Sequence, residues 1–402
     1  MVTIPLGLGV VAAATHRAGH SVTFLDLLGE SEPAAAVRRT IAACSPEVIG
    51  ISIRNIDDQN REAPRFLLDQ VRPVVEACRA CSSASIVLGG AGYSIFPEAT
   101  LAHLGADYGV SGDGEVAFPA LLARLEAGQD PFGLPGVHVA GRGCAIGPSF
   151  DEDLDVLPPW DEALGEVADP ASPELWVPVQ SRRGCPNDCS YCSTARIQGR
   201  SIRARAPELV VEHVARLARK GFRRFYFVDN SFNIPESHAL EICRGLRGID
   251  PRVTWRCILY PHLLREELVL AMAEAGCTEV SLGFESGSPE ILRRMNKRFS
   301  PADIRAASDL LASHHIRRMG FLLLGGPGET RETVEESISF ARSLALDSLK
   351  VTVGIRIYPG TPLARRAVED GLVSAHDDLL LPRFYLAPGL DPWIYQRVAG
   401  LT

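Results

Sequence analysis

The chain has 402 residues, 46% of them hydrophobic and 22% charged, enough for two or three domains around a large core. Its formal net charge of −8 argues against a broad nucleic-acid footprint, and no apolar run approaches the ~18 residues of a membrane span. Met1-Val2-Thr3-Ile4-Pro5 lacks the charged leader of a secretory signal, so the ten cysteines are expected in a reducing cytoplasm, as thiols or cluster ligands and not as disulfides.

Residues 1–143 alternate helical and strand patterns. Helices are predicted at 6–18, 34–43, 64–80 and 116–125, and strands at 21–25, 48–53 and 85–88. Such alternation implies a parallel sheet flanked by helices, a doubly wound α/β domain. Loops rich in glycine follow the strands: Gly89-Gly90-Ala91-Gly92 and Gly112-Asp113-Gly114-Glu115. Ligands of open α/β sheets sit beyond the carboxyl ends of the strands, where glycine lets the backbone come close. Arg54-Asn55 follows the 48–53 strand and reads either as a ligand-facing loop or as a capped turn. Cys78 and Cys81 form a Cys-x2-Cys at a helix end. Without another Cys or His nearby they read as ordinary helix residues.

Residues 144–175 read as a linker, broken by Leu157-Pro158-Pro159-Trp160 and acidic over 151–155. Next comes Cys185-Pro-Asn-Asp-Cys189-Ser-Tyr-Cys192, three cysteines within eight residues. Zinc sites want four ligands, and no fourth Cys or His is close. Cysteine thiolates hold iron–sulfur clusters, and three of them on a four-iron cubane leave one iron open. An open iron can bind a substrate or cofactor, as a catalytic zinc keeps a free position. Pro186 and Asn187 favour a tight loop, and the ring of Tyr191 suits packing on a purine.

A second α/β series follows. Strands are predicted at 176–181, 225–228, 253–258, 279–284, 318–324 and 349–355. Helices lie between them at 207–220, 238–246, 264–275, 289–295, 301–314 and 330–344. Six strands with five long crossovers suggest an incomplete barrel, with ligands gathering at the strands' carboxyl ends. Polar or glycine-rich segments mark those ends: Asp229-Asn230, Glu285-Ser286, Gly325-Gly326-Pro-Gly328-Glu329 and Ile357-Tyr358-Pro-Gly-Thr361. Arg256 lies on the third strand, where a buried guanidinium needs an anion. Residues 362–402 form a C-terminal extension whose Tyr385, Trp393 and Tyr395 either cover the open barrel end or close the core.

The cysteine motif is the signature of the radical S-adenosylmethionine (SAM) enzymes, and residues 178–361 resemble that superfamily. The resemblance implies a [4Fe-4S] cluster on Cys185, Cys189 and Cys192 whose open iron chelates SAM's amino and carboxylate groups. An electron from an external donor such as flavodoxin or ferredoxin then cleaves SAM to methionine and a deoxyadenosyl radical. It further implies SAM contacts from Tyr191, Asp229, Asn230, Arg256, Glu285, Ser286, Gly325 and Gly326. Pro5-Leu-Gly-Leu-Gly9, Ala18-Gly-His20, Phe24-Leu-Asp26 and Leu88-Gly-Gly-Ala-Gly92 resemble the flavodoxin-like cobalamin-binding domain found on one class of these enzymes, over residues 4–127.

In that family the double glycine lines the channel for cobalamin's nucleotide tail and the preceding loop faces the corrin. Those roles fall on Gly89, Gly90 and the segment 54–59, with Arg54 and Asn55 foremost. Gly92, Gly112, Gly114 and Glu115 complete the expected site. Two departures stand out. The family usually opens with a strand before the Pro-Leu-Gly segment, and the Asp-x-His-x2-Gly cobalt-ligand motif is absent.

The expected organisation is a cobalamin-binding domain at 1–143 lacking its first strand, a linker at 144–175, a partial (βα)6 radical SAM barrel at 176–361 and the extension. The expected function is a cobalamin-dependent radical SAM methyltransferase acting on a small molecule. One SAM methylates the reduced cobalt. A second yields the radical that removes hydrogen from an unactivated carbon, which then takes the methyl group. The alternative is a non-methylating rearrangement or cyclisation with cobalamin in another role or absent. A nucleic-acid substrate is disfavoured because no basic module follows residue 361.

Overall fold

Short runs rich in Val, Ile, Leu and Phe build two sheets, each buried by helices as parallel sheets require. The computed structural model describes residues 4–150, 153–162, 169–170, 172 and 174–401. The first sheet holds β1 (Val48–Ser52), β2 (Ser85–Gly89), β3 (Tyr108–Val110) and β4 (Val137–Val139) in the order β1-β2-β3-β4. The first three strands are parallel and β4 is an antiparallel edge. Helices Pro33–Cys44 and Leu68–Cys81 pack together, as do Leu6–Arg17 and Gly114–Glu126.

The strand expected at 21–25 is not formed. Those residues join no sheet, and Phe24 and Leu25 pack sideways against the core. Alternation gave that segment a strand's pattern, but pairing needs a neighbouring ladder that it does not meet. β3 and β4 escape the sequence because three residues carry too little periodicity. Among the described residues no strand precedes β1. Within the linker, positions 151–152, 163–168, 171 and 173 lie outside the described residues. Trp160 is buried there and meets the first helix.

The second sheet is wholly parallel: β5 (Val177–Val179), β6 (Arg224–Phe227), β7 (Thr254–Leu259), β8 (Cys277–Glu285), β9 (Arg317–Leu324) and β10 (Ser348–Val353). The strands lie side by side in chain order. Alternation sorts their faces. Phe225, Phe227, Trp255, Cys257, Val280, Leu282, Phe284, Leu322 and Leu324 are buried beneath the helices. Tyr226, Arg256, Ile258, Glu279, Ser281 and Leu323 face the partly open concave side. Burying a Phe such as Phe225 contributes roughly 1.5–3 kcal/mol, and truncation to Ala costs about 3–5 kcal/mol.

Sharp helix starts sit after the strands. Ser300 Oγ accepts from the Asp303 N–H at 3.3 Å while Asp303 accepts from the Ser300 N–H at 2.7 Å, a capping box that opens helix Pro301–Ser313.

The carboxyl ends of both sheets face each other. Helix Ala91–Ile95, after β2, touches helix Thr194–Gln198, after the cysteine loop. The extension pairs Phe384–Tyr385 antiparallel with Ile355–Arg356. It buries Leu379, Leu380, Leu386, Leu390 and Ile394, so it closes the core. Among the described residues no helix is long and apolar enough to cross a membrane.

Candidate active site

The cysteine loop begins where β5 ends. Arg182–Arg183 pairs with Arg203–Ala204, and Gly184 turns the chain with φ +86°, where a Cβ would collide with the Ser201 carbonyl. Backbone bonds fix the loop at several points. The Cys185 N–H donates to the Gly199 carbonyl at 3.2 Å, Ser190 N–H to the Met295 carbonyl at 3.0 Å, and Cys192 N–H to the Cys189 carbonyl at 3.2 Å. All three cysteines are free thiols; Cys185 and Cys189 are half-buried and Cys192 is exposed. Burial pushes the Cys189 thiol up, and it also feels Lys297, Cys192 and Cys185.

Among the described residues no three ligands gather for a single metal ion. A cubane is bulkier than one ion and needs its thiolates set around it. Three reduced cysteines on one fixed loop, with no fourth ligand beside them, fit a cluster with one open iron.

A cavity of about 320 Å³ lies between the two sheet ends. Arg54, Asn55 and Gly92 line it from the first sheet, and Tyr191, Cys192, Leu323 and Thr352 from the second. The two ligand-facing loops expected from separate halves of the chain thus share one space.

Other expected residues lie elsewhere. Asp229 is wholly buried and fastens the start of the cysteine loop. Its Oδ1 accepts from the Ser181 and Arg182 N–H groups at 2.9 and 3.1 Å, and its Oδ2 from the Ser181 hydroxyl at 2.5 Å. Burial raises its pKa. Asn230 donates to Gln198 at 2.7 Å, on the helix after the cysteines. Ser286 is buried and bonds the Ser337 hydroxyl at 2.8 Å, while accepting from the Ser288 N–H.

Arg256 lies short of its strand's carboxyl end. Its guanidinium carbon stands 4.4 Å and 4.7 Å from the Trp176 and Tyr226 ring centres, with Glu279 at 3.5 Å. That glutamate supplies an anion of the kind its position demands.

Glu285 ends β8 at φ +64°, strained for a residue with a side chain. Its carboxylate meets the Lys297 ammonium at 3.3 Å. Lys297 is buried against the Tyr191 and Phe299 rings, 5.3 and 5.8 Å away. Burial opposes its charge, but Tyr191 and Glu285 outweigh that and hold its pKa well above the ordinary value. Gly325 and Gly326 donate N–H bonds to the buried Glu329 carboxylate at 2.5 and 2.8 Å. That turn is organised by its own glutamate, and Gly325 abuts Leu386 of the extension.

In the first domain, Gly90 has φ +98°, and a Cβ there would stand 2.6 Å from the Ile53 carbonyl oxygen. Gly90 and Gly92 therefore let the loop after β2 press on the loop that carries Arg54, whereas Gly89 faces the Val110 carbonyl. Gly112 abuts Pro148, and Gly114 abuts Val11. Glu115 is buried and paired with Arg183, which also meets Asp113 at 3.0 Å; Arg203 meets Asp113 as well. These acidic residues hold the domains together and do not line the cavity. Patterns of residue type could not reveal this, because the arginines lie some 70 to 90 positions away in sequence. Lys297 and Arg356 escaped notice for a similar reason: each lies outside the strand-end motifs.

Comparison with known proteins agrees with this layout. Residues 179–341 match the model of the Radical SAM superfamily, and residues 1–122 match the B12 binding domain. An uncharacterized methyltransferase of Pyrococcus horikoshii is 27% identical over 92% of this chain and 79% of its own length. The tryptophan 2-C-methyltransferase of Streptomyces laurentii is 23% identical over 91% of this chain and 72% of its own. Among solved structures, TsrM from Kitasatospora setae, a radical SAM methyltransferase with tryptophan and a SAM analogue bound, superposes with a TM-score of 0.87. It is 24% identical and the match covers 100% of this chain and 86% of that one. With a B12 binding domain set against a radical SAM domain, and relatives named as methyltransferases aligned over most of their length, the chain belongs to the cobalamin-dependent radical SAM enzymes of the methyltransferase class.

Proposed function

We propose that this chain methylates a carbon of a small molecule, using cobalamin and a SAM-bound [4Fe-4S] cluster held on opposite sides of one cavity. The observation that carries the reading is that cavity, where Arg54 and Asn55 stand across from Tyr191 and Cys192. When bound, cobalamin would supply a methyl carrier and the cluster a site for reductive SAM cleavage, with SAM as the source of the methyl group and of the deoxyadenosyl radical. The protein binds, orients and shields them. Cys185, Cys189 and Cys192 present three thiolates and leave one iron for SAM. Lys297 and Glu285 fix the Tyr191 ring beside that position. Leu323 and Thr352 bound the concave face on which a substrate would lie.

The tryptophan bound in TsrM supports a small organic substrate. An external flavodoxin or ferredoxin would bring the electron, and the cytoplasm is the compartment we favour for it. Anaerobic incubation with SAM, hydroxocobalamin, a reductant and a panel of small molecules, read by mass spectrometry, tests the proposal. A methylated product that depends on both cofactors is expected. A product rearranged or cyclised without added methyl would overturn it in favour of the non-methylating alternative.

A further inference from the structure

The loop that faces the cavity from the first domain is anchored at Asp57, which lines the cavity beside Arg54 and Asn55 and meets Arg356 of the opposite wall. Asp57 is 2% exposed at its side chain, and its Oδ2 accepts from Arg356 Nε at 2.6 Å. Its Oδ1 accepts from the Gln59 N–H at 3.0 Å, closing an Asx turn. Arg356 belongs to the other domain, just past β10, and is equally buried. Its remaining N–H groups donate to the Ile357 carbonyl at 2.8 Å and to Leu379 and Leu380 in the extension at 2.8 and 3.1 Å. The rings of Phe96 and Tyr358 flank it at 5.3 and 5.4 Å.

One guanidinium therefore ties together the cobalamin-side loop, the end of the barrel and the extension. Neighbouring contacts repeat the link. Gln59 donates to the Tyr358 hydroxyl at 2.8 Å, and Arg61 meets Asp391 at 3.0 Å and the Tyr395 hydroxyl at 2.7 Å.

A buried ion pair adds little net stability, because desolvation offsets the attraction. What it fixes is geometry. Transfer between two bound groups depends steeply on placement, and a shift of ~1 Å can cost about 100-fold in rate. We propose that Arg356 is a positioning residue: through Asp57 it sets Arg54 and Asn55 at a fixed distance from Cys192, so that the two cofactors meet in reactive register. This rests on the two-cofactor reading above.

The test uses full-length protein reconstituted anaerobically with cluster and hydroxocobalamin. Asp57→Asn keeps the Oδ1 acceptor for Gln59 and removes the charge. The double variant Asp57→Asn/Arg356→Gln leaves no uncompensated buried charge, so it restores stability without restoring the link. Three readouts separate position from folding: hydrogen–deuterium exchange over 54–61, SAM affinity by equilibrium dialysis, and the optically followed rate of methyl transfer from SAM to bound reduced cobalamin. In both variants, exchange over 54–61 should rise at least about tenfold and methyl transfer should fall about 100-fold, while SAM affinity stays within about twofold.

Recovery of methyl transfer in the double variant would overturn the proposal, since the pair would then matter only for stability. A parallel loss of SAM affinity would overturn it too. If the wild type binds cobalamin but never methylates it, the proposed function falls, and exchange alone judges the anchor: unchanged protection in the double variant rejects it, and raised protection loss confined to 54–61 supports it.

Discussion

Glu329 should make the protein lose stability as pH rises through neutrality. It lies in the turn after β9 and is 3% exposed. Oε2 accepts from two backbone N–H groups, while Oε1 is buried without a hydrogen-bond partner among the described residues. Burial pushes the carboxyl up to about 7 from an ordinary 4.5, even though the two N–H groups pull the other way. The folded state thus holds this proton more tightly than the unfolded chain. Its contribution is fully present below pH ~4.5 and is lost as pH passes about 7.

The difference of about 2.5 units, at 1.36 kcal/mol each, comes to about 3 kcal/mol. Glu329→Gln keeps a carbonyl acceptor for Gly325 and Gly326 and never ionises. Between pH 5 and pH 8 the stability difference, wild type minus variant, should fall by about 2.5 kcal/mol, because the unfolded carboxyl is already mostly ionised at pH 5. With roughly 2 cal/mol/K of unfolding entropy per residue over the barrel or the whole chain, the midpoints should shift relative to one another by roughly 3–7 °C. Anaerobic scanning calorimetry at the two pH values measures it. A midpoint gap that does not change with pH would refute the argument, because burial would then not be raising this group.

Three further outcomes are expected. Replacing Cys185, Cys189 or Cys192 by Ala removes a cluster thiolate, so iron content and reductive SAM cleavage should both collapse; a triple variant that still cleaves SAM on reduction would contradict the assignment. Gly90→Val forces a side chain at φ +98° into the Ile53 carbonyl, which displaces the Arg54 loop; corrinoid retained after gel filtration should drop about tenfold, at a strain of about 1–3 kcal/mol. Glu285→Gln strands the buried Lys297 ammonium and should cost about 3–5 kcal/mol, whereas the double variant Glu285→Gln/Lys297→Met should cost less than either single change by thermal denaturation.

The sequence conveyed the fold where elements were long. Six barrel strands and their helices follow directly from alternation and from boundary residues such as Ser300 and Pro301, because each element carries several periods. The cluster motif was equally legible, since its three ligands fall on one loop. The strand-end acids and hydroxyls are harder to read. Asp229, Ser286, Glu285 and Glu115 are expected to touch ligands because polar residues at strand ends are often used that way. Each has a partner that local sequence does not show: Ser181, Ser337, Lys297 and Arg183. A strand-end acid can serve a cofactor or hold a loop, and local sequence carries the same signal for both. Only the partner's position decides.

That ambiguity also explains how the site is assembled. Both sheets end in loops rich in glycine and acid, and each would bind a ligand at its own carboxyl edge. Here the two edges oppose each other, so the same loops must also recognise one another. The acids divide the work by depth. Asp113, Glu115 and Asp57 are buried against Arg183, Arg203 and Arg356, and these pairs bind domain to domain. Arg54 and Asn55 are exposed and open onto the cavity, whose wall the buried Asp57–Arg356 pair also forms. An interface made only of apolar contacts could slide, because burial is non-directional. Directional charge-assisted bonds cannot be shifted by a fraction of an ångström without loss. Two such networks, one on the loop after β1 and one on the loop after β3, leave the space between them a fixed width, which a reaction between two separately held cofactors requires.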